Sequence, residues 1–194
     1  KYFPLLDERG ALLPFFITIS NIQSNNPAFV SHGNERVIRP RLSDAEFFWQ
    51  QDSKTTLADR VDSLNNVVYQ HALGSLGDKT QRVAALAATL AELLGCDVAL
   101  ATRAAQLSKT DLVTDMVGEF ASLQGVIGRY YAVQNGEPQD VASAIEEQYL
   151  PKQSGGALPM TKTGQVLALS DKLDTLVGIF SVGLLPTGEK DPFA

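Results

Sequence analysis

The chain has 194 residues, of which 44% are hydrophobic and 20% charged, and its formal net charge is −6 at pH 7. This composition is ordinary for a globular protein with a sizeable core, and no apolar run reaches the roughly 18 residues that a membrane-spanning helix needs. Its one cysteine, Cys96, excludes an intrachain disulfide and a thiolate metal cluster, so we expect a reducing, cytoplasmic location without membrane contact.

The negative charge argues against a strong, nonspecific grip on nucleic acid, because such binding depends on Lys and Arg side chains that neutralise phosphates. A local basic patch stays possible. The first residue is not Met, and the N-terminal residues lack the apolar core and cleavage site of a signal peptide. We therefore interpret the chain as a stretch of a longer protein.

Two short apolar segments open the chain. Residues 2–6 and 15–20 are rich in aromatic and branched side chains, and the turn between them contains Gly10. This pattern predicts a β-hairpin or the edge of a sheet. Since two strands alone are marginal in water, we expect the other strands of the sheet to lie elsewhere. We assign residues 1–34 to this hairpin and a polar connector, both belonging to a preceding domain.

A linker helix is predicted next, at residues 35–52. Ser43 followed by Glu46 has the spacing of a capping box, and three aromatic residues at 47–49 follow directly. The spacing predicts a helix start at Ser43. Core or interdomain packing is the favoured role of the aromatic residues, and stacking on unpaired bases is the alternative.

Residues 53–194 are assigned to an all-α domain of about six or seven helices, because apolar residues recur every three or four positions. The clearest apolar stripe begins at Val83. Gly95 is predicted to cap the C-terminal end of that helix in the left-handed conformation, and Asp97 to cap the start of the next helix. The predicted helices cover residues 57–68, 83–94, 98–109, 113–133, 138–149 and 166–176.

Four positions in this helical part form a recognisable pattern. Lys79 stands four residues before Val83, Ser108-Lys109 ends the next predicted helix, and Asp171 lies in the last one. The arrangement resembles the HD superfamily of metal-dependent phosphohydrolases, in which a His, an adjacent His-Asp pair and a late Asp hold a divalent cation that activates water. Of the four ligand types, only the late aspartate is present in this chain, as Asp171. The resemblance therefore implies an HD-like helical bundle with degenerate positions, no metal and no catalytic residue.

Two arrangements of the lysines stay open. The ammonium groups of Lys79 and Lys109 could pair with Asp171 and replace the charge of the metal, or each could point to solvent. Asp171 and Asp174, one turn apart, favour an ion-pair network over a paired carboxylate site. An active metal-dependent phosphohydrolase is the disfavoured alternative.

Longer motifs are more specific than these four positions. They are GNERV at 33–37, RPRLSDAEFF at 39–48, LGSLGDK at 73–79, LSKTDL at 107–112, DKLDTL at 171–176 and KDPFA at 190–194. Together they closely resemble the β subunit of the bacterial heterotetrameric glycyl-tRNA synthetase, over essentially the whole chain.

The resemblance implies a part of the ligase that joins glycine to tRNA(Gly) with ATP. In that family the α subunit carries the site for ATP and glycine, and the β subunit binds tRNA. The implied partners are tRNA(Gly) and the α subunit, and no cofactor is expected in this chain. It implies tRNA binding and scaffolding without catalysis by the chain alone. A purely structural module between domains is the alternative.

Basic side chains supply the candidates for RNA contact. The first candidates form the densest basic cluster, and their guanidinium groups suit phosphates: Arg36, Arg39 and Arg41. Pairing with the interleaved acidic residues is the favoured alternative for them. The second candidates would be a residual phosphate-facing patch: Lys79, Arg82 and Lys109.

Overall fold

The computed structural model describes residues 1–21 and 23–184, and the chain divides into two compact units, of which the second starts at Ala45. The sequence motif at residues 190–194 lies outside the described residues. The described part is mainly α-helical and is preceded by a small antiparallel hairpin, as predicted.

The hairpin consists of β1 (Tyr2–Leu6) and β2 (Leu12–Thr18), with Phe3 opposite Ile17 and a register irregularity near the turn. The Asp7 carboxylate holds the turn by accepting hydrogen bonds from the backbone N–H groups of Arg9 and Ala11 at 2.9 and 2.8 Å. The hairpin prediction is confirmed, although β2 begins three residues before the predicted segment.

Helix α1 (Pro27–Asp52) corrects the predicted helix start. The side chain of Asn26 accepts a hydrogen bond from the N–H of Phe29 at 3.1 Å, and Pro27 suits the first helical turn because its missing N–H needs no partner there. Ser43 lies inside the helix, where its hydroxyl donates to the carbonyl of Arg39 at 3.2 Å. The second part of the predicted connector is therefore helical, and the capping-box interpretation is wrong.

The segment at residues 57–68 is not an α-helix. It forms a 3-10 helix (Ala58–Asn66), and strand β3 (Val68–Gln70) then pairs with the short strand β4 (Gly74–Ser75). Leu57 and Leu64 are fully buried, so the apolar spacing found core residues correctly. It could not distinguish the two helix types, because spacings of three suit a 3-10 turn equally well.

Helix α2 (Leu76–Leu94) has the clearest local determinants in the chain. Ser75 caps its first turn through a reciprocal capping box with Asp78, and Gly95 ends it in the left-handed conformation at φ 64°. Its buried stripe continues from Val83 through alanines, whereas Leu93 is 76% exposed. The predicted cap at Gly95 is confirmed, and the predicted stripe extends too far.

The remaining helices belong to the second unit. Asp97 caps α3 by accepting a hydrogen bond from the N–H of Leu100 at 2.9 Å, as predicted. The predicted helix at 113–133 is divided, because Thr114 begins a new helix and Gly125 adopts φ 78°. The helices are α3 (Val98–Leu107), α4 (Asp115–Glu119), α5 (Val126–Gln134), α6 (Gln139–Glu147) and α7 (Lys162–Ser181), with 3-10 helices at Thr110–Val113 and Ala121–Leu123.

The core of the second unit lies where α2 packs against α3 and α7, and α6 packs against α3, α5 and α7. Buried alanines on α2 and α3 allow close approach of the two helices. Trp49 stacks on Tyr131 with ring centroids 4.9 Å apart, Phe48 is half-buried, and Phe47 is exposed. Packing is thus confirmed for two of the three aromatic residues. Within residues 1–21 and 23–184, no helix has the length and apolar character needed to span a membrane.

Candidate functional site

A buried cluster of charged side chains joins three helices of the second unit. Lys79 lies in the first turn of α2, Lys109 follows the end of α3, and Asp171 and Asp174 lie on α7. Because the two aspartates are three residues apart, their carboxylates share one face of α7. Lys79 is 3% exposed and Lys109 is 6% exposed, so neither ammonium is a surface group.

Asp171 lies between the two lysines. Its Oδ1 is 3.2 Å from the Nζ of Lys79, and its Oδ2 is 3.2 Å from the Nζ of Lys109. The pairing that the sequence left open is therefore present, with one ammonium on each carboxylate oxygen.

Both ammonium groups have further partners. Lys79 donates to Asp174 Oδ2 at 3.1 Å and to the hydroxyl of Thr175 at 2.8 Å. The Nζ of Lys79 also lies 4.8 Å from the ring centroid of Tyr69, and that of Lys109 lies 4.7 Å from the ring of Tyr149. The face of an aromatic ring attracts a cation, which partly replaces the water that burial removes.

Arg82 closes the outer side of the cluster. Its Nε and Nη2 donate to the two oxygens of Asp174 at 2.7 and 3.3 Å, and Nη1 donates to the carbonyl of Leu73 at 3.1 Å. This bidentate geometry is the strong form of a guanidinium–carboxylate pair. The Arg82 side chain is 40% exposed, so it meets solvent while its donors are engaged inside the protein.

The lysines decide the charge state of Asp171. Burial alone would raise the pKa of this carboxyl, but the charges of Lys109 and Lys79 outweigh it and hold the pKa below its ordinary value. Burial lowers the pKa of the Lys109 ammonium, and the Asp171 carboxylate opposes that shift only in part. The charged forms of Asp171 and Lys109 therefore stabilise each other against the cost of burial.

These residues do not fit a divalent metal ion. Two ammonium groups contact the one carboxylate that the HD comparison leaves in place, and an ammonium has no lone pair to donate. A divalent cation beside Asp171 would also be repelled by both lysines. In the described part of the chain, no group of three or more His, Cys, Asp and Glu side chains is arranged to hold a metal.

Ser108 takes no part in the ion pairs. Its hydroxyl donates to the carbonyl of Ala105 at 2.8 Å, and its own carbonyl accepts a hydrogen bond from the side chain of Gln148 at 2.6 Å. The residue thus terminates α3 and connects it to α6. Of the four degenerate positions, Lys79, Lys109 and Asp171 come together through their side chains.

Asp111 is a buried carboxylate that sequence analysis missed. It is fully buried, and its Oδ2 accepts a hydrogen bond from the N–H of Gly125 at 2.6 Å. Burial raises its pKa to about 6, against the opposing effects of that N–H and of Lys109. Gly128 packs so closely that a Cβ there would lie 2.9 Å from the same oxygen. Glycines at 125 and 128, one turn apart, were the available sequence signal for this close approach.

Asp52 is a second missed carboxylate, at the C-terminal end of α1. It is 3% exposed, and it pairs with Arg60 at 3.2 Å. It also accepts hydrogen bonds from the N–H of Met116 at 2.9 Å and from the hydroxyl of Tyr131 at 3.1 Å. Its position one turn after the packed Trp49 was the only local hint that it faces inward.

The three arginines predicted for RNA contact lie on α1. All three are exposed, and Arg36 and Arg39 make no ion pair with any described residue. The favoured alternative of pairing with acidic neighbours is therefore wrong for these two. Because α1 starts at Pro27, they stand in the middle of a helix, away from the positive end of its dipole.

A groove of about 860 Å³ opens beside the cluster. Asp171 and Tyr149 contribute to its wall, together with apolar side chains of α7 such as Leu176 and Phe180. Lys172 also lines it, but its Nζ donates to the carbonyls of Gln148 and Leu150 at 3.1 and 2.8 Å. This lysine thus ties α7 to the end of α6.

The sequence matches known proteins along its whole length. The family model described as "Glycyl-tRNA synthetase beta subunit" matches residues 1–194. The chain belongs to this family. Glycine–tRNA ligase beta subunits from Stutzerimonas stutzeri (strain A1501) and Ectopseudomonas mendocina (strain ymp) are each 58% identical to it, and that from Pseudomonas putida (strain GB-1) is 57% identical. Each match covers 100% of this chain and 28% of the relative, so the chain spans about 28% of the length of these beta subunits.

Proposed function

We propose that this chain is a segment of the β subunit of a glycine–tRNA ligase, and that it contributes tRNA binding and scaffolding to the ATP-dependent charging of tRNA(Gly). The observation that carries the proposal is the match of all 194 residues to the family. In the proposed assembly, a heterotetramer of the cytoplasm, the α subunit supplies the site for ATP and glycine.

The scaffolding part of the proposal rests on the charged cluster. The HD resemblance would put a catalytic metal at this cluster, and the pairing of Lys79 and Lys109 with Asp171 supports a structural role for it instead. Buried ion pairs have narrow geometric tolerance, because a charge that loses its partner stays desolvated. The cluster therefore holds α2, the end of α3 and α7 in one arrangement and performs no catalysis.

The tRNA-binding part rests on α1. Arg36 and Arg39 are exposed, and they are three residues apart on one helix face. A guanidinium without an internal partner is available for a phosphate. Lys79 and Lys109 would have to break their ion pairs to reach RNA, so we assign them to the scaffold.

An experiment with the full-length β subunit and its α subunit tests the arginine assignment. We expect Arg36→Gln with Arg39→Gln to weaken tRNA binding and to lower the slope of log affinity against log salt by about 1 to 2, as the loss of one or two phosphate contacts requires. The matched control, Lys152→Gln with Lys162→Gln, removes the same charge from exposed positions of the second unit. Equal salt slopes for the two double variants would contradict the assignment.

The phosphohydrolase alternative is tested separately, with nucleotide phosphates and added manganese. We expect no turnover, because two ammonium groups already pair with Asp171, the one carboxylate that the HD resemblance retains. Turnover that disappears on Asp171→Ala would restore the alternative.

A further inference from the structure

A polar pocket of about 500 Å³ lies where α2 meets the 3-10 helix Ala58–Asn66 and α3. It is separate from the charged cluster, because neither Lys79 nor Asp171 contributes to its wall. A volume of this size accommodates a molecule as large as a nucleoside. Hydrogen-bonding side chains from all three elements form most of the wall: Asn65 from the 3-10 helix, Thr80 and Gln81 from α2, and Arg103 and Gln106 from α3.

The hydroxyl of Thr80 is buried in this wall without a partner. Thr80 is 4% exposed, and its Oγ1 forms no hydrogen bond with any described residue. A threonine inside a helix usually bonds to the carbonyl four residues earlier, as Thr89 of the same helix does to Ala85 at 3.1 Å. Since a buried polar group without a partner costs stability, the free hydroxyl of Thr80 indicates a site that a bound molecule completes.

Three amide side chains surround this hydroxyl at the mouth of the pocket. Asn65, Gln81 and Gln106 are exposed, and none of their amides bonds to a described residue. A Cβ at Gly77 would overlap the side-chain oxygen of Asn65, so the glycine lets this amide lie directly against α2. Each amide offers a donor beside an acceptor, which is the pattern that recognises the edge of a base.

Arg103 adds a flat, immobilised group to the wall. Its Nε and Nη2 donate to the two carboxylate oxygens of Glu137 at 3.1 and 2.5 Å. Because this pair neutralises the guanidinium and Asp62 adds a negative charge to the lining, the pocket is unsuited to an anion. The single carboxylate of Asp62 is also too little for a divalent metal. A neutral, planar molecule fits best, since it can stack on the guanidinium plane.

We propose that this pocket binds one unpaired nucleobase of an RNA. The base stacks on Arg103, and its edge forms hydrogen bonds with Thr80 and the amides, which is how proteins read single-stranded RNA. The inference rests on the proposed tRNA binding, because that function supplies the RNA. It adds a contact that reads a base, whereas Arg36 and Arg39 are assigned to phosphates.

Binding of tRNA(Gly) to the full-length β subunit with its α subunit tests the inference. The pocket variant is Thr80→Val with Gln106→Leu. The control, Thr89→Val with Gln153→Leu, removes the same groups from exposed positions outside the pocket. We expect the pocket variant to bind about tenfold more weakly than the control with an unchanged salt slope, because it loses base contacts and no phosphate contact.

Chemical probing of the same complexes identifies the base. Dimethyl sulfate and a carbodiimide together modify the pairing edges of all four unpaired bases. We expect one nucleotide that the wild type and the control protect to become reactive in the complex with the pocket variant, while the rest of the protected region stays the same.

The other outcomes overturn the inference in distinguishable ways. Equal affinity and equal protection for the two double variants would show that the pocket holds no base. A lower salt slope for the pocket variant would replace the base with a phosphate. Without tRNA, Thr80→Val should leave Tm unchanged or raise it, so a Tm below that of Thr89→Val would assign the hydroxyl to protein packing. Failure of the wild type to bind tRNA would remove the proposed function together with this inference.

Discussion

At the scale of single residues, the decisive interaction is the sharing of Asp171 by two lysines. Each carboxylate oxygen has its own ammonium at 3.2 Å, and Asp174, the other carboxylate of the cluster, already contacts Lys79 and Arg82. Removing the carboxylate would leave two buried ammonium groups facing each other. Replacing Lys79, Lys109 and Asp171 together would remove both ammonium charges along with the carboxylate, and Asp174 would keep its pair with Arg82. These two changes have opposite physical consequences.

We therefore expect Asp171→Asn to lower the free energy of unfolding by about 3 to 5 kcal/mol, as does the loss of one partner of a buried ion pair. Replacement of all three groups, Lys79→Met, Lys109→Met and Asp171→Leu, should recover most of that loss. Chemical denaturation followed by fluorescence measures both variants. Lys152→Met at an exposed position is the control. A triple variant less stable than Asp171→Asn would contradict the account.

Asp111 gives stability a pH dependence of opposite sign to that of Asp171. The folded pKa of Asp111 is raised from 3.8 to about 6, so the folded protein binds its proton more tightly than the unfolded chain does. The stabilisation of the folded state by protonated Asp111 is therefore fully present below pH 3.8 and is lost as the pH rises to about 6. The lowered pKa of Asp171 contributes stability above its unfolded pKa, and that stability is lost at acid pH.

Asp111→Asn should remove the Asp111 contribution, because an amide does not titrate. We expect the wild type to lose about 2 to 3 kcal/mol more stability than the variant between pH 4 and 6.5. Denaturation midpoints across this range measure the difference. Parallel pH profiles of the two proteins would exclude the assigned pKa.

At the scale of elements, the glycine at the start of α5 controls how the divided segment turns. Gly125 has φ 78°, donates its N–H to Asp111, and lies where a Cβ would meet the ring of Tyr149 at 2.7 Å. Gly136, after α5, has the same φ of 78°, but a Cβ added there would have no heavy atom within 4 Å. The two positions share one backbone requirement and differ in packing.

We expect Gly136→Ala to cost about 1 kcal/mol of stability, the cost of a left-handed backbone for a residue with a side chain. Gly125→Ala should cost at least about 1 kcal/mol more, because the ring of Tyr149 must move as well. Thermal unfolding of both variants measures the difference. Equal losses would show that the contact with Tyr149 has no energetic weight.

At the scale of the whole molecule, the cluster and the arginines are assigned to separate roles. Aminoacylation by the proposed assembly would distinguish them. The triple variant without the cluster should keep its kcat and its KM for tRNA within about twofold, because those side chains are assigned no contact with substrate. A tenfold rise in KM for tRNA would return Lys79 and Lys109 to the RNA-contact candidates.

The sequence alone determined features that depend on near neighbours. The caps Gly95 and Asp97, the hairpin, and the buried Val83 all follow from spacing within a few residues, because capping and amphipathic periodicity are local. The residues that start α1, Asn26 and Pro27, are also a local signal. The prediction placed the start at Ser43 because the capping-box spacing there was the longer pattern. The resemblance in motifs likewise found the family.

Only the tertiary structure decided how the charges are paired. Lys79 is 92 residues from Asp171, and no spacing rule fixes whether an ammonium meets that carboxylate or solvent. The burial of Asp52 and Asp111 is also set by backbone N–H groups and side chains from other elements. The physical reason is that the free energy of a charge depends on its whole surroundings, whereas a helix cap depends on one turn of chain.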